Sequence, residues 1–261
     1  MRIAAGLYPF FNAYQANPTK TLQCIQQIGY EGLEFYGAPL IPAQTLRGLL
    51  DQTGLLNAGY QVSWRLLQPQ TLKETIKYQK QLGTKRIVIP ALGGPWESGH
   101  KQSENTLETW MGHIEYMNQL VDILRQEGFE LAYHTHDYDF SDQIEGRATS
   151  YELIQANTTA NIQIEIDTGN CLEGGLLPEK EILQLDASRL QAIHCKPFSF
   201  TTGYEQYFGG AEDATDWSAV ITACGKQQVD WLVIEPESIT LGSPEQIMEQ
   251  GHSFMQQLFE K

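Results

Sequence analysis

The chain predicts a (β/α)8 barrel, and three observations carry that prediction. Eight short β-type runs alternate with amphipathic helical stretches along 261 residues, the pattern of parallel strands joined by crossover helices. No G-x-G-x-x-G follows a strand-like run, which argues against an open dinucleotide-binding sheet. No linker divides the chain, and a hydrophobic content of 41% suffices for one large core. One barrel domain is therefore expected over residues 1–261.

The strand-like runs are RIAAGLY (2–8), EGLEFYG (31–37), GYQVSW (59–64), RIVIPAL (86–92), FELAYHTH (129–136), NIQIEIDTGN (161–170), LQAIHCK (190–196) and WLVIEPE (231–237). Asn17-Pro18 opens the first helix and Gly29 stops it: proline suits the first helical turn, and glycine suits a left-handed C-terminal position. Gly54, Gly83 and Gly128 end the next three helices in the same way. Segment 104–127 places Leu107, Trp110, Met111, Ile114, Met117, Val121 and Leu124 at three- and four-residue steps, one apolar stripe on a long helix. Ser243-Pro244-Glu245-Gln246 reads as a capping box opening the last helix.

Charge and cysteine usage narrow the function classes. A net charge of −15 repels a phosphate backbone, so nucleic acid is not an expected partner. No apolar run approaches the roughly 20 residues of a bilayer span, and the N-terminal MRIAAGLYPF begins directly on a strand-like run, so neither a membrane nor a signal peptide is expected. Four cysteines without a C-x-x-C pair suit reduced thiols in a cytoplasmic protein. The sequence leaves the oligomeric state open.

Side chains alternate along a strand, so parity assigns them to the barrel interior or to the helices. Ile162, Ile164 and Ile166 share the outer parity, while Gln163, Glu165 and Asp167 point inward. The same test turns His134 and His136, His194 and Lys196, Val233 and Glu235, and Glu34 and Tyr36 inward. One inward His or Glu at a strand end is ordinary packing. His134, Asp167, His194 and Glu235 close four consecutive strand-like runs, at the C-terminal mouth where barrel enzymes keep their sites. Two imidazoles and two carboxylates in that position predict one divalent ion, with Mn, Zn, Co or Fe favoured and Mg less suited to imidazole.

The motifs also resemble a known family, the sugar phosphate isomerases/epimerases built on xylose-isomerase-like barrels. YEGLEFYG resembles its second strand, with Glu34 in the acidic position, and LAYHTHDYDF resembles its Y-H-N-H-x-x-E-F strand. IEIDTGNCLEGG is similar to L-D-x-G-N-x-x-x-G-G, AIHCKPF to H-x-K-D, AEDATDW to G-E-G-x-x-D-W, and WLVIEPE to the final glutamate strand. The resemblance implies that Asp167, His194 and Glu235 are metal ligands and puts His134 in the fourth place, where many relatives carry glutamate. Those relatives move a proton between two glutamates across an enediolate, and this chain has Glu235 alone of that pair. Thr135 and Asp139 replace the Asn and Glu of the commoner motif, and Phe198 stands near the family's aspartate.

These readings assign roles. His136 is the first candidate for the base that exchanges a carbon-bound proton, with Glu235 as a ligand able to double in that role. Lys196 is expected to steady a developing oxyanion, or alternatively to pair internally with Glu165 or Glu34. Glu34 is expected to orient rather than ligate, Glu165 to be structural, Trp64 to line a sugar face or to pack, and Trp96, in the loop after the fourth run, to act as a substrate lid or to cover the barrel. The function expected is a metal-dependent isomerase or epimerase of a small carbohydrate, acting through a metal-stabilised enediolate. A dehydratase or lyase of a keto-sugar or inosose uses the same site, and a sugar-binding barrel without turnover is a third reading. The abasic-DNA endonuclease branch needs more histidines and a basic groove, against the charge of −15.

Overall fold

The computed structural model describes residues 1–92, 101–238 and 240–259. Strands β1 (Arg2–Gly6), β2 (Gly32–Tyr36), β3 (Leu56–Gln61), β4 (Arg86–Ile89) and β5 (Glu130–His134) alternate with helices α1 (Phe11–Ala16), α2 (Pro18–Ile28), α3 (Ala43–Thr53), α4 (Leu72–Leu82) and α5 (Leu107–Gln126). A small excursion follows: α6 (Asp137–Ser141), a two-residue antiparallel ribbon of β6 (Gln143–Ile144) and β7 (Ala148–Thr149), then α7 (Ser150–Asn157). The chain resumes with β8 (Ile162–Asp167), α8 (Thr168–Glu173), α9 (Pro178–Gln184), β9 (Ala192–Cys195), α10 (Trp217–Gln227), β10 (Trp231–Ile234) and α11 (Pro244–Phe259). The eight long strands close in the order β1-β10-β9-β8-β5-β4-β3-β2, every neighbouring pair parallel. This is the (β/α)8 barrel expected.

Local chemistry sets the helix ends. The Asn17 side chain accepts from Lys20 N at 3.0 Å and Gly29 leaves α2 at φ +113°. Ser243 and Gln246 exchange the two bonds of a capping box, at 2.9 and 3.3 Å. The stripe on α5 is real, but Met111 lies on its flank, 37% exposed, and Leu120 takes a place in the buried face.

Parity separates two cores. Ile164, Ile166, Ile193, Leu232 and Ile234 face the helices, whereas Ala4, Ala58, Ala192, Trp231 and Val233 fill the barrel's lower interior. Three strands differ in extent from the runs read in the sequence. β3 starts at Leu56 and ends at Gln61, so Trp64 opens a 3-10 turn (Trp64–Leu67) instead of ending the strand. β5 ends at His134, because the Asp139 carboxylate accepts the His136 N–H at 2.9 Å and starts α6. β8 ends at Asp167, whose side chain caps Asn170 N at 2.9 Å and starts α8. No helix among the described residues is long and apolar enough to cross a membrane.

Candidate metal centre and substrate pocket

The site is built in two layers at the C-terminal mouth. In the lower layer Arg86, fully interior, sends Nη2 to Glu34 Oε1 at 2.7 Å and Nη1 to Glu165 Oε1 at 2.6 Å. A register shift between Leu33 and Glu34 pairs Glu34 with Gly59 of β3, and a Cβ on Gly59 would stand 2.7 Å from Glu34 Oε1. Glycine there leaves room for the ion pair. Gln61 adds a hydrogen bond from Nε2 to Glu34 Oε2 at 2.8 Å.

The upper layer follows from register. His134 is level with Glu165, and Asp167 with His194, so the two histidines face each other across β8 with ring centroids 4.4 Å apart. His134 Nδ1 lies 3.2 Å from Glu165 Oε2, and its Nε2 lies 4.0 Å from Asp167 Oδ2. His194 Nε2 lies 2.7 Å from Glu34 Oε2 and Nδ1 lies 3.1 Å from Glu235 Oε2. Gly6 gives Glu235 its place, since a Cβ there would meet Oε1 at 2.9 Å.

The donor set fits a divalent ion. Asp167 Oδ1 is used to cap α8, but Oδ2 is buried and accepts no hydrogen bond among the described residues, with Lys196 Nζ 3.0 Å away as an ion-pair neighbour. Lys196 already gives that oxygen a cationic neighbour, so the fit rests on the donor types, two imidazoles and a carboxylate, a set that divalent ions take. Ligand atoms of His134, Asp167 and His194 lie within 4.8 Å of one another. Glu235 stands beside that set, against His194 Nδ1 and 4.0 Å from Lys196 Nζ.

Charges in this layer are mutually tuned. Burial opposes a charge on His194, but Glu235, Glu165 and Glu34 outweigh it and hold the imidazole well above its ordinary range. Burial likewise opposes the carboxylates, yet Arg86 and His194 keep Glu165 well below the usual value, and His194 and Lys196 keep Glu235 below it. Lys196 is held protonated, above the ordinary lysine value, by Asp167, Glu237 and Glu235 against the effect of burial.

A cavity of about 300 Å³ opens above, walled by Tyr8, Tyr36, Trp64, His136, Lys196 and Glu237, with His134 and Glu235 at its base. His136 stacks on Tyr138 with ring centroids 5.2 Å apart, and its Nδ1 has no hydrogen-bond partner among the described residues. Burial, and then the neighbouring Lys196 and His194, push its pKa well below the ordinary imidazole value, so the ring is neutral near pH 7. Trp64 lines the cavity and also packs edge-on against His113 and Tyr116. Trp96 falls outside the described residues.

One pairing differs from the sequence reading. Lys196 does not reach Glu165 or Glu34, whose oxygens Arg86 holds; it binds Glu237 Oε1 at 2.7 Å and faces Asp167. Arg86, Gln61 and Glu237 went unread. Arg86 carried a signal, since it shares the parity of Val88, which pairs with the interior Ala132. Glu237 carried one as well, since it continues the parity of Val233 and Glu235 in the run 231–237.

Residues 22–258 match the model of the xylose isomerase-like TIM barrel family, and the chain belongs to that family. Its fold is similar to a sugar phosphate isomerase/epimerase from Parabacteroides distasonis, at 16% identity and TM-score 0.79 over 98% of each chain. A D-allulose 3-epimerase from Methylomonas sp. aligns at 12% identity and TM-score 0.74, covering 99% of this chain and 98% of the other. The zinc-bound IolI protein aligns at 13% identity and TM-score 0.74 with the same coverage. No curated protein matches the sequence.

Proposed function

We infer that this chain is a divalent-metal-dependent isomerase or epimerase of a small carbohydrate. One observation carries the reading: two imidazoles and a buried carboxylate oxygen lacking a hydrogen bond face one another beneath a cavity of about 300 Å³. His134, Asp167, His194 and Glu235 would hold the ion. When bound, it would supply polarisation of a substrate carbonyl and charge stabilisation for the enediolate. The family membership and the sugar-epimerase folds among its structural neighbours support the same class.

The chain's own groups supply the rest. The cavity is of a size to enclose one monosaccharide, at the lower end of ligand pockets, which run from roughly 300 to 1,000 Å³. Neutral His136, whose Nδ1 has no hydrogen-bond partner among the described residues, has the form of a base that removes a carbon-bound proton. Lys196 offers an ammonium to an oxygen on which negative charge develops. Glu34 orients His194 from below, and Trp64 presents an apolar wall suited to a sugar's C–H face.

A dehydratase or lyase of a keto-sugar or inosose is the second reading. The protonated Lys196 at the cavity wall favours it, because an ammonium there can protonate a departing hydroxyl. The test is to load the protein with Mn, Zn, Co or Fe and screen ketoses, aldoses and inososes in heavy water. Deuterium incorporation with retained mass is the outcome expected; loss of water selects the lyase. Stoichiometric ligand binding without exchange or turnover makes the chain a sugar-binding barrel. Asp167→Ala should lower metal occupancy far more than Glu165→Ala; equal losses would remove Asp167 from the ligand set.

A further inference from the structure

Two clusters of potential ligands lie in the barrel among the described residues: His134, Asp167 and His194 above, and Glu34, Glu165 and His194 below, each with ligand atoms within 4.8 Å. Arg86 distinguishes them. Its planar guanidinium takes Oε1 of both lower carboxylates, at 2.6 and 2.7 Å, while its Nε donates to the Ala58 carbonyl at 3.3 Å. A fork held at three points fixes both carboxylates in orientation. Their remaining oxygens turn up to the histidines: Glu165 Oε2 to His134 Nδ1 at 3.2 Å, and Glu34 Oε2 to His194 Nε2 at 2.7 Å.

We propose that Arg86, Glu34 and Glu165 form a rigid platform that sets the tautomer of both ligand histidines, and that the guanidinium occupies the place of a second metal ion. A neutral imidazole has one N–H, and a carboxylate beside one nitrogen draws the proton there. On His134 the proton sits on Nδ1, which leaves the Nε2 lone pair toward Asp167. His194 has a carboxylate beside each nitrogen: Glu34, the nearer at 2.7 Å, holds the Nε2 proton, so the proton an ion would displace is the one on Nδ1, 3.1 Å from Glu235. The nitrogens left for an ion, His134 Nε2 and His194 Nδ1, thus both turn into the upper layer. With both carboxylates already neutralised in part by Arg86, the lower cluster has no position for a second cation, and the stoichiometry is one ion per chain. Arg86, Glu34 and Glu165 are therefore positioning residues.

The affinity arm of this inference rests on the metal-binding reading above; the tautomer arm does not. Long-range proton–nitrogen NMR of the metal-free wild type, at alkaline pH where imidazole is neutral, should place the His134 proton on Nδ1. Glu165→Gln and Glu34→Gln keep the shape of the side chain, and each should weaken Zn²⁺ or Co²⁺ binding by about 10–100-fold. Glu181→Gln, a buried acid bonded to Tyr151 away from the site, should leave affinity unchanged while matching any loss of Tm. A His134 proton on Nε2, two ions per chain, or Gln variants binding within about twofold of wild type would overturn the proposal. A wild type that binds no ion yet shows the Nδ1 tautomer would sink the metal reading and leave the tautomer device standing.

Discussion

The two polar layers of the barrel use the same residue types and differ in how completely they are satisfied. In the lower layer Glu34, Glu165 and Arg86 each have partners at hydrogen-bond distance, the two carboxylates sharing Arg86 and turning their other oxygens to His194 and His134, and all are buried. In the upper layer Asp167 Oδ2 and His136 Nδ1 are buried without hydrogen-bond partners among the described residues, and Lys196 is shared among Asp167, Glu235 and Glu237. A buried polar group without a partner costs stability, on the order of 1–3 kcal/mol. The lower layer thus resembles a structural floor, and the upper one a surface built to be completed by something from outside the chain. The same alternation of strand side chains makes both.

The contrast can be broken from either side. The largest effect is expected above: His136→Ala should retain metal and fold while losing turnover by about 10²–10⁴-fold, with slowed C–H exchange in heavy water. Near-normal exchange would transfer the base role to Glu235, and loss of the metal would place His136 in the coordination sphere. Below, Arg86→Met leaves two carboxylates buried without their cation, and urea denaturation should show a loss of about 3–5 kcal/mol. A loss under about 1 kcal/mol would mean that water or a proton replaces the guanidinium at little cost, and the floor would not be structural.

Asp139 tests the boundary between the layers and the α6 excursion. Burial pushes its carboxyl up to about 6, against hydrogen bonds from Ser150, His136 N–H and Tyr133. Between roughly pH 4 and 6 the folded protein then holds a proton that the unfolded chain has released, so stability falls as pH rises through that window, by about 2–3 kcal/mol. Urea unfolding at both ends of the window should show Asp139→Asn lacking this component relative to wild type; identical pH profiles would place the Asp139 pKa near its ordinary value. The smallest effect is expected at the rim. Glu237 pairs with Lys196 but its side chain is 30% exposed, so Glu237→Gln should change stability by less than about 1 kcal/mol. A larger loss would show the rim to be as structural as the floor.

Much of this was legible in residue order. Alternation in QIEID and AIHCK turned Asp167, His194 and Lys196 inward, and Asn17, Gly29 and the Ser243 box marked helix ends where they occur. Periodicity reports the face of a strand because backbone geometry fixes it locally. It does not report height in the barrel, which depends on the registers of eight strands closing on one another. For that reason the sequence placed His134, Asp167, His194 and Glu235 at one mouth, while only the closed structure made Glu165 the lateral neighbour of His134, set Arg86 between Glu34 and Glu165, and gave Lys196 to Asp167 and Glu237. Ion-pair partners far apart in sequence are chosen by distance in three dimensions, and Arg86 and Glu165 meet only because strand order and shear bring β4 and β8 across the same interior.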